Sequence, residues 1–188
     1  MSGKRIAIVG AERTGKSWLT QALAEVIRLR GHAVHTVDEV LRAWCDHEGR
    51  TPHPHEQLGI AQAQAQAAEQ AKQQGPHGWV ICDTTPVMTA VYSHMLFDDE
   101  SLYPMALAHQ AHYDLTLVTG LDLPWVADGL QRDGPHVRFV DAQAQTRRPR
   151  AGVGTAKSLQ HRRNVEFQQR IVKESFVAEV DHQVRFIV

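Results

Sequence analysis

Eight residues near the N-terminus, Gly10-Ala11-Glu12-Arg13-Thr14-Gly15-Lys16-Ser17, carry the spacing G-x-x-x-x-G-K-S. Glycine at both ends lets the backbone curl until its N–H groups face a polyphosphate. Lys16 then reaches the β- and γ-phosphates, and the Ser17 hydroxyl suits a Mg²⁺ ion. The motif stands between the apolar run Arg5-Ile-Ala-Ile-Val9 and a stretch with Leu19, Leu23, Val26 and Ile27 at helical spacing. Strand, loop and helix in that order are the context the motif requires. The helix start adds its positive dipole end. Gly10, Glu12, Arg13, Thr14, Gly15, Lys16, Ser17 and Trp18 are therefore candidate residues for binding ATP with Mg²⁺. The plainer alternative is a Gly-rich turn.

Three acidic residues stand at places where such a loop needs partners. Asp83 closes the apolar run Trp79-Val-Ile-Cys-Asp83, where phosphate-loop proteins hold a carboxylate near the magnesium water shell. The alternative is a capping aspartate at a strand-to-helix turn. Asp38 and Glu39 follow the run Val34-His-Thr-Val37, and a carboxylate there can accept a hydroxyl proton in phosphoryl transfer. Arg42, three residues on, shares a helix face with Glu39 and either steers a phosphate or pins the carboxylate. The alternative is an N-cap at Asp38 with a surface ion pair.

Further along, Gly120 to Arg138 carries Trp125, Asp128 and Arg132. A helix–loop with arginines at this point is where nucleoside and nucleotide kinases place a lid, here expected around residues 128–148. Its arginines, Arg132 first, can neutralise charge developing on a transferred phosphoryl group. A plain surface loop is the other reading. The twelve histidines, including His53, His55, His109 and His112, have no metal-binding spacing and read as solvated or capping residues.

These residues need a scaffold, and the pattern supplies one. Short apolar runs at 5–9, 34–37, 79–83, 114–118 and 184–188 read as strands. Helices are expected over 18–30, 40–45, 57–74, 89–97, 101–112 and 155–180, with a loop over 47–55. The 57–74 segment looks alternating (Ala61-Gln-Ala-Gln-Ala-Gln66), yet Ala, Gln and Glu form helices and are poor in strands. Strands alternating with helices imply a doubly wound, mostly parallel five-stranded sheet with ligands at the strand carboxyl ends.

Composition narrows the class. The chain has 188 residues, 43% hydrophobic and 22% charged, enough for one domain with a core. A net charge of −1 argues against a nucleic-acid binder held by a broad basic face. The balance is uneven, with −6 over residues 1–130 and +7 over 131–173. That basic run is either a solvated helical face or a flap over polyphosphate. No apolar run approaches the ~18 residues of a membrane span, and no signal-peptide pattern or disulfide framework is present. A cytoplasmic protein is expected, with its oligomeric state left open.

The phosphate loop, Glu39 with Arg42, Asp83-Thr84, Asp114-Leu-Thr-Leu-Val118 and Pro124-Trp-Val-Ala-Asp-Gly129 resemble the nicotinamide riboside kinase domain of NadR-type proteins. The likeness runs over roughly residues 4–140. It implies a P-loop NTPase domain, an adenylate- and nucleoside-kinase-like three-layer α/β sandwich, and phosphate transfer from ATP to the ribose 5′-hydroxyl of a pyridine nucleoside. Carried over, Lys16 and Ser17 serve ATP and Mg²⁺. Asp83 serves the metal shell or the acceptor, and Glu39, Arg42, Thr84, Trp125 and Asp128 lie by the substrate or lid. Thr85 stands where the family often has a second acid. The competing class is a P-loop ATPase or nucleotide-sensing module with no small-molecule acceptor.

Overall fold

The computed structural model describes residues 3–11, 14–120 and 184–187. Five parallel strands form one sheet: β1 (Arg5–Val9), β2 (Val34–Val37), β3 (Trp79–Asp83), β4 (Leu115–Thr119) and β5 (Val184–Ile187), in the order β2-β3-β1-β4-β5. The four strand pairings among the described residues are all parallel, in keeping with the doubly wound sheet expected. Among the described residues the helices are α1 (Lys16–Leu29), α2 (Val40–Glu48), α3 (Gln57–Gln74), α4 (Pro86–Phe97) and α5 (Tyr103–Gln110), with a 3-10 turn at Pro54–Glu56.

The strands are apolar on both sides because both faces are covered. In β1, Ile6 and Ile8 pack with Ala24 and Ile27 of α1 and with Ile81 of β3. Ala7 and Val9 point the other way, into a larger core with Val80, Cys82, Ala68, Ala71 and Val87, Met88, Ala90 and Val91 of α4. That period-two split makes three layers. Each fully buried aliphatic side chain such as Ile8 contributes about 1.5–3 kcal/mol of burial. The alanines of α3 let that helix lie close to the sheet, with Ala61 and Ala68 fully buried. Helix α4 is buried from Pro86 through Ser93, which explains why its sequence shows little amphipathic contrast.

Several boundaries differ from those read in the sequence. Helix α1 starts at Lys16, inside the phosphate loop motif, and α4 starts at Pro86, because proline's fixed φ suits the first helical turn. Helix α2 runs past Cys45 through Asp46, His47 and Glu48 and stops at Gly49, whose N–H meets the Cys45 carbonyl at 2.8 Å. His47 and Glu48 are therefore helical, and Pro54–Glu56 is a 3-10 turn rather than plain loop. Helix α5 is shorter than 101–112, since Pro104 sits in its first turn and the chain turns at Ala111. Strand β4 begins at Leu115, and Asp114 just before it is tied to the start of β1: its N–H donates to the Arg5 carbonyl at 2.9 Å, and its carboxylate accepts from the Arg5 N–H at 2.8 Å and from Lys4 at 2.7 Å. The expected helix over 155–180 and the basic run over 131–173 lie outside the described residues.

Candidate functional site

The phosphate loop leaves the centre of the sheet at the carboxyl end of β1. Gly10 adopts φ 146°, and a Cβ there would stand 2.2 Å from the Thr119 hydroxyl oxygen. Only glycine fits that approach. Gly15 takes φ 79° and delivers the chain into α1 without a side-chain cap, and no acidic residue occupies the first turn of the helix. The positive end of α1 thus faces the loop, ready for an anion. Thr14 braces the loop: its hydroxyl donates to the Ala11 carbonyl at 2.7 Å and shares a hydrogen bond with the Thr119 hydroxyl. Lys16, 9% exposed, lays its ammonium across the loop onto the same carbonyl at 2.7 Å.

Asp83 stands beside this loop because β3 pairs with β1 in a register that sets Asp83 opposite Ile8, two residues before Gly10. The Ser17 hydroxyl donates to Asp83 Oδ2, while Oδ1 is buried without a hydrogen-bond partner. Burial holds the Asp83 carboxyl above the ordinary carboxylate range. The Ser17 hydrogen bond and the charge of Lys16 pull it down, Glu39 pushes it up, and Arg42 pulls it down. These charges act on Asp83 because the ends of β1, β2 and β3 bring the four residues to one end of the sheet. A buried carboxylate oxygen in need of a positive partner, next to a serine hydroxyl, fits a hard cation with oxygen ligands such as Mg²⁺.

Glu39 follows β2 and occupies the N-cap position of α2, one residue later than the alternative reading of a cap at Asp38. Its side chain is only 10% exposed, and its Oε2 receives Arg42 Nη2 at 3.2 Å and Nε at 3.4 Å. The pair expected from the spacing exists, between a partly buried carboxylate and a more exposed guanidinium. Thr84 is buried with φ 74°, a left-handed conformation costly for a β-branched residue, and its N–H donates to the Ile8 carbonyl at 2.9 Å. The chain thereby turns sharply after Asp83. Trp18 stands out from the first turn of α1 at 75% exposure.

Lys16, Ser17, Glu39, Arg42 and Asp83 are thus gathered at one end of the sheet, with Gly10, Thr14, Gly15, Trp18 and Thr84 around them. Glu12, Arg13, Trp125, Asp128, Arg132 and the expected lid at 128–148 lie outside the described residues. Sequence reasoning missed Thr119, whose only signal is a hydroxyl at the end of the fourth strand. It also missed Gln64, whose amide bonds the turn on both sides of Glu39 and which is one glutamine among many in an Ala/Gln run. Thr85, in place of a second acid, is fully buried and donates to Gln110 at 2.8 Å, and Gln110 in turn donates to Thr116 at 2.9 Å. At this position a neutral hydroxyl completes a buried network that a carboxylate would charge.

A family model described as an AAA domain matches residues 5–148. No curated protein matches by sequence. Among solved structures, a NadR protein in complex with NR is similar, with TM-score 0.64 and 19% identity, covering 98% of this chain and 43% of that one. A NadR protein in complex with NAD and AMP-PNP matches with TM-score 0.52 and 16% identity, over 98% of this chain and 52% of that one. The deoxyadenosine kinase of M. mycoides, bound to dCMP and dCDP, matches with TM-score 0.52 and 13% identity, over 98% and 90% of the two chains. The chain spans about half or less of the NadR chains it matches. At these identities the likeness is one of fold.

Proposed function

The chain belongs to the AAA-domain family with a fold like that of P-loop nucleoside and nucleotide kinases, and from this premise we propose that it transfers the γ-phosphoryl group of ATP to the ribose 5′-hydroxyl of a small nucleoside, nicotinamide riboside first. The observation that carries the reading is the second carboxylate. A phosphate loop with one acid suffices to hold a nucleotide, but here the partly buried Glu39 follows β2, close enough for its charge to act on Asp83. That arrangement provides for an acceptor as well as a donor.

In this reading the N–H groups of the loop from Gly10 to Ser17 and the ammonium of Lys16 bind the phosphates, with Glu12, Arg13 and Thr14 in the loop and the exposed Trp18 indole beside the nucleotide. Ser17 and Asp83 would hold Mg²⁺, which supplies charge neutralisation on the phosphates when bound. Glu39 takes the proton from the acceptor hydroxyl as its oxygen bonds to the γ-phosphorus and the bond to the β–γ bridging oxygen breaks, so that ADP leaves. General-base assistance of this kind is worth about 10²–10⁴-fold. Arg42 holds the Glu39 carboxylate at 3.2 Å and Thr84 shapes the turn beside the acceptor. Trp125 and Asp128 are assigned to the acceptor, and Arg132 to the transferred phosphoryl group, from the sequence resemblance.

A P-loop ATPase or sensing module is the second reading. It is favoured by the Glu39–Arg42 ion pair, which satisfies the carboxylate without any acceptor. An ADP-release screen across nucleosides, nicotinamide riboside included, separates the two against an acceptor-free control. The kinase reading predicts release that depends on one class of nucleoside. Equal release in every well overturns it.

A further inference from the structure

Gln64 sits in the middle of α3, 2% exposed, with its amide spanning the turn between β2 and α2. Its Oε1 accepts from the Val40 N–H at 2.8 Å, and its Nε2 donates to the Asp38 carbonyl at 3.2 Å. The two bonds bracket one residue, Glu39. The Val40 N–H belongs to the first turn of α2, where backbone donors have no partner within the helix. A carboxylate at the N-cap position is drawn to those donors. Glu39 occupies that position, yet its side chain makes no capping bond and turns to Arg42 instead.

We propose that Gln64 is a positioning residue for the Glu39 carboxylate: by fixing the peptides on both sides of Glu39, it holds the turn from which that side chain is directed at the acceptor hydroxyl. The proposal rests on the reading of Glu39 as the base given above. Two features separate it from simple packing. Both ends of one buried amide are used on a single turn, and the residue whose side chain ordinarily caps is left without that task. Without Gln64, the peptides on both sides of Glu39 lose their anchor on α3, and the turn that aims its side chain is free to shift.

The test is steady-state kinetics on the full chain with ATP, Mg²⁺ and the nucleoside accepted in the screen. Gln64→Met keeps length and apolar burial while removing both hydrogen bonds. Its acceptor-dependent kcat is expected to fall roughly 10–100-fold, the scale of an ångström-level misplacement, with KM for ATP and calorimetric ATP affinity unchanged. Gln64→Glu retains an oxygen for the Val40 N–H and is expected to recover part of the loss, which gives a second variant if the methionine one fails to fold. In a Glu39→Gln background, Gln64→Met is expected to cost no further turnover, since the group it positions is gone. A wild-type kcat in Gln64→Met, an equal fractional loss in both backgrounds, or a parallel loss of ATP affinity overturns the positioning role. If Glu39→Gln itself turns over acceptor normally, the assignment of the base fails instead, and the single variant reports this before Gln64 is touched.

Discussion

The Ser17 hydroxyl donates to the Asp83 carboxylate across 66 positions of sequence, joining the first turn of α1 to the end of β3. That bond uses one carboxylate oxygen and leaves the other, Oδ1, buried without a partner. The fold therefore holds an acid in a place that disfavours its charge, and burial raises the Asp83 pKa. Burial of the ionised group destabilises the fold at pH above the folded pKa, and the penalty fades as pH falls through that pKa toward the ordinary carboxylate range. Without nucleotide and metal, Asp83→Asn is expected to melt higher than the parent at neutral pH, with the gap closing on acidification. Thermal melts over a pH series check this, and the same variant is expected to weaken the magnesium dependence of ATP binding.

Lys16→Ala is expected to leave a folded protein that binds ATP poorly. The ammonium lies on the Ala11 carbonyl within the loop, so the residue serves the loop rather than the hydrophobic core. Losing one charge-assisted contact to phosphate costs about 1.5–3 kcal/mol, or roughly 10–100-fold in affinity. Calorimetric titration with ATP·Mg beside a melting curve reads both quantities. Unchanged affinity in a folded variant contradicts a nucleotide site at this loop.

Gly10→Ala is expected to destabilise the domain by about 1–3 kcal/mol, the scale of a residue held in a disfavoured backbone region. Its φ of 146° suits glycine, and the added Cβ would meet the Thr119 hydroxyl at 2.2 Å. Thr119→Ala removes that obstruction, so the two substitutions are expected to be non-additive, the pair losing less than the sum of the singles. Couplings between contacting residues run about 0.5–3 kcal/mol, and denaturant unfolding of the four proteins measures this one. Additive losses contradict the contact.

The phosphate loop, Asp83 and Glu39 were legible in the sequence because local chemistry fixes them: a strand must end, a loop must curl, and an acid at that junction has few other uses. The alternation of strands and helices gave the sheet for the same reason. Gln64 and Thr119 were not legible, because their importance lies in what they meet, the turn around Glu39 and the loop at Gly10. One glutamine in an Ala/Gln helix looks like the next until the helix is packed. The Thr84 backbone is another case, since no rule of composition places a left-handed threonine after Asp83. Helix starts were misplaced where proline or the loop lysine opened the helix, at Pro86 and Lys16.

Transfer of the γ-phosphoryl group to a nucleoside hydroxyl, with Glu39 as the base, leaves a phosphate monoester as its product. Phosphorus NMR of the products formed from ATP·Mg and nicotinamide riboside tests it most directly, because a phosphate monoester and inorganic phosphate give separate signals. A 5′-phosphate monoester is expected in step with ADP, with a loss of about 10²–10⁴-fold in its rate of formation in Glu39→Gln at saturating ATP. Inorganic phosphate alone, formed at the same rate with and without the nucleoside and unaffected by Glu39→Gln, would contradict it.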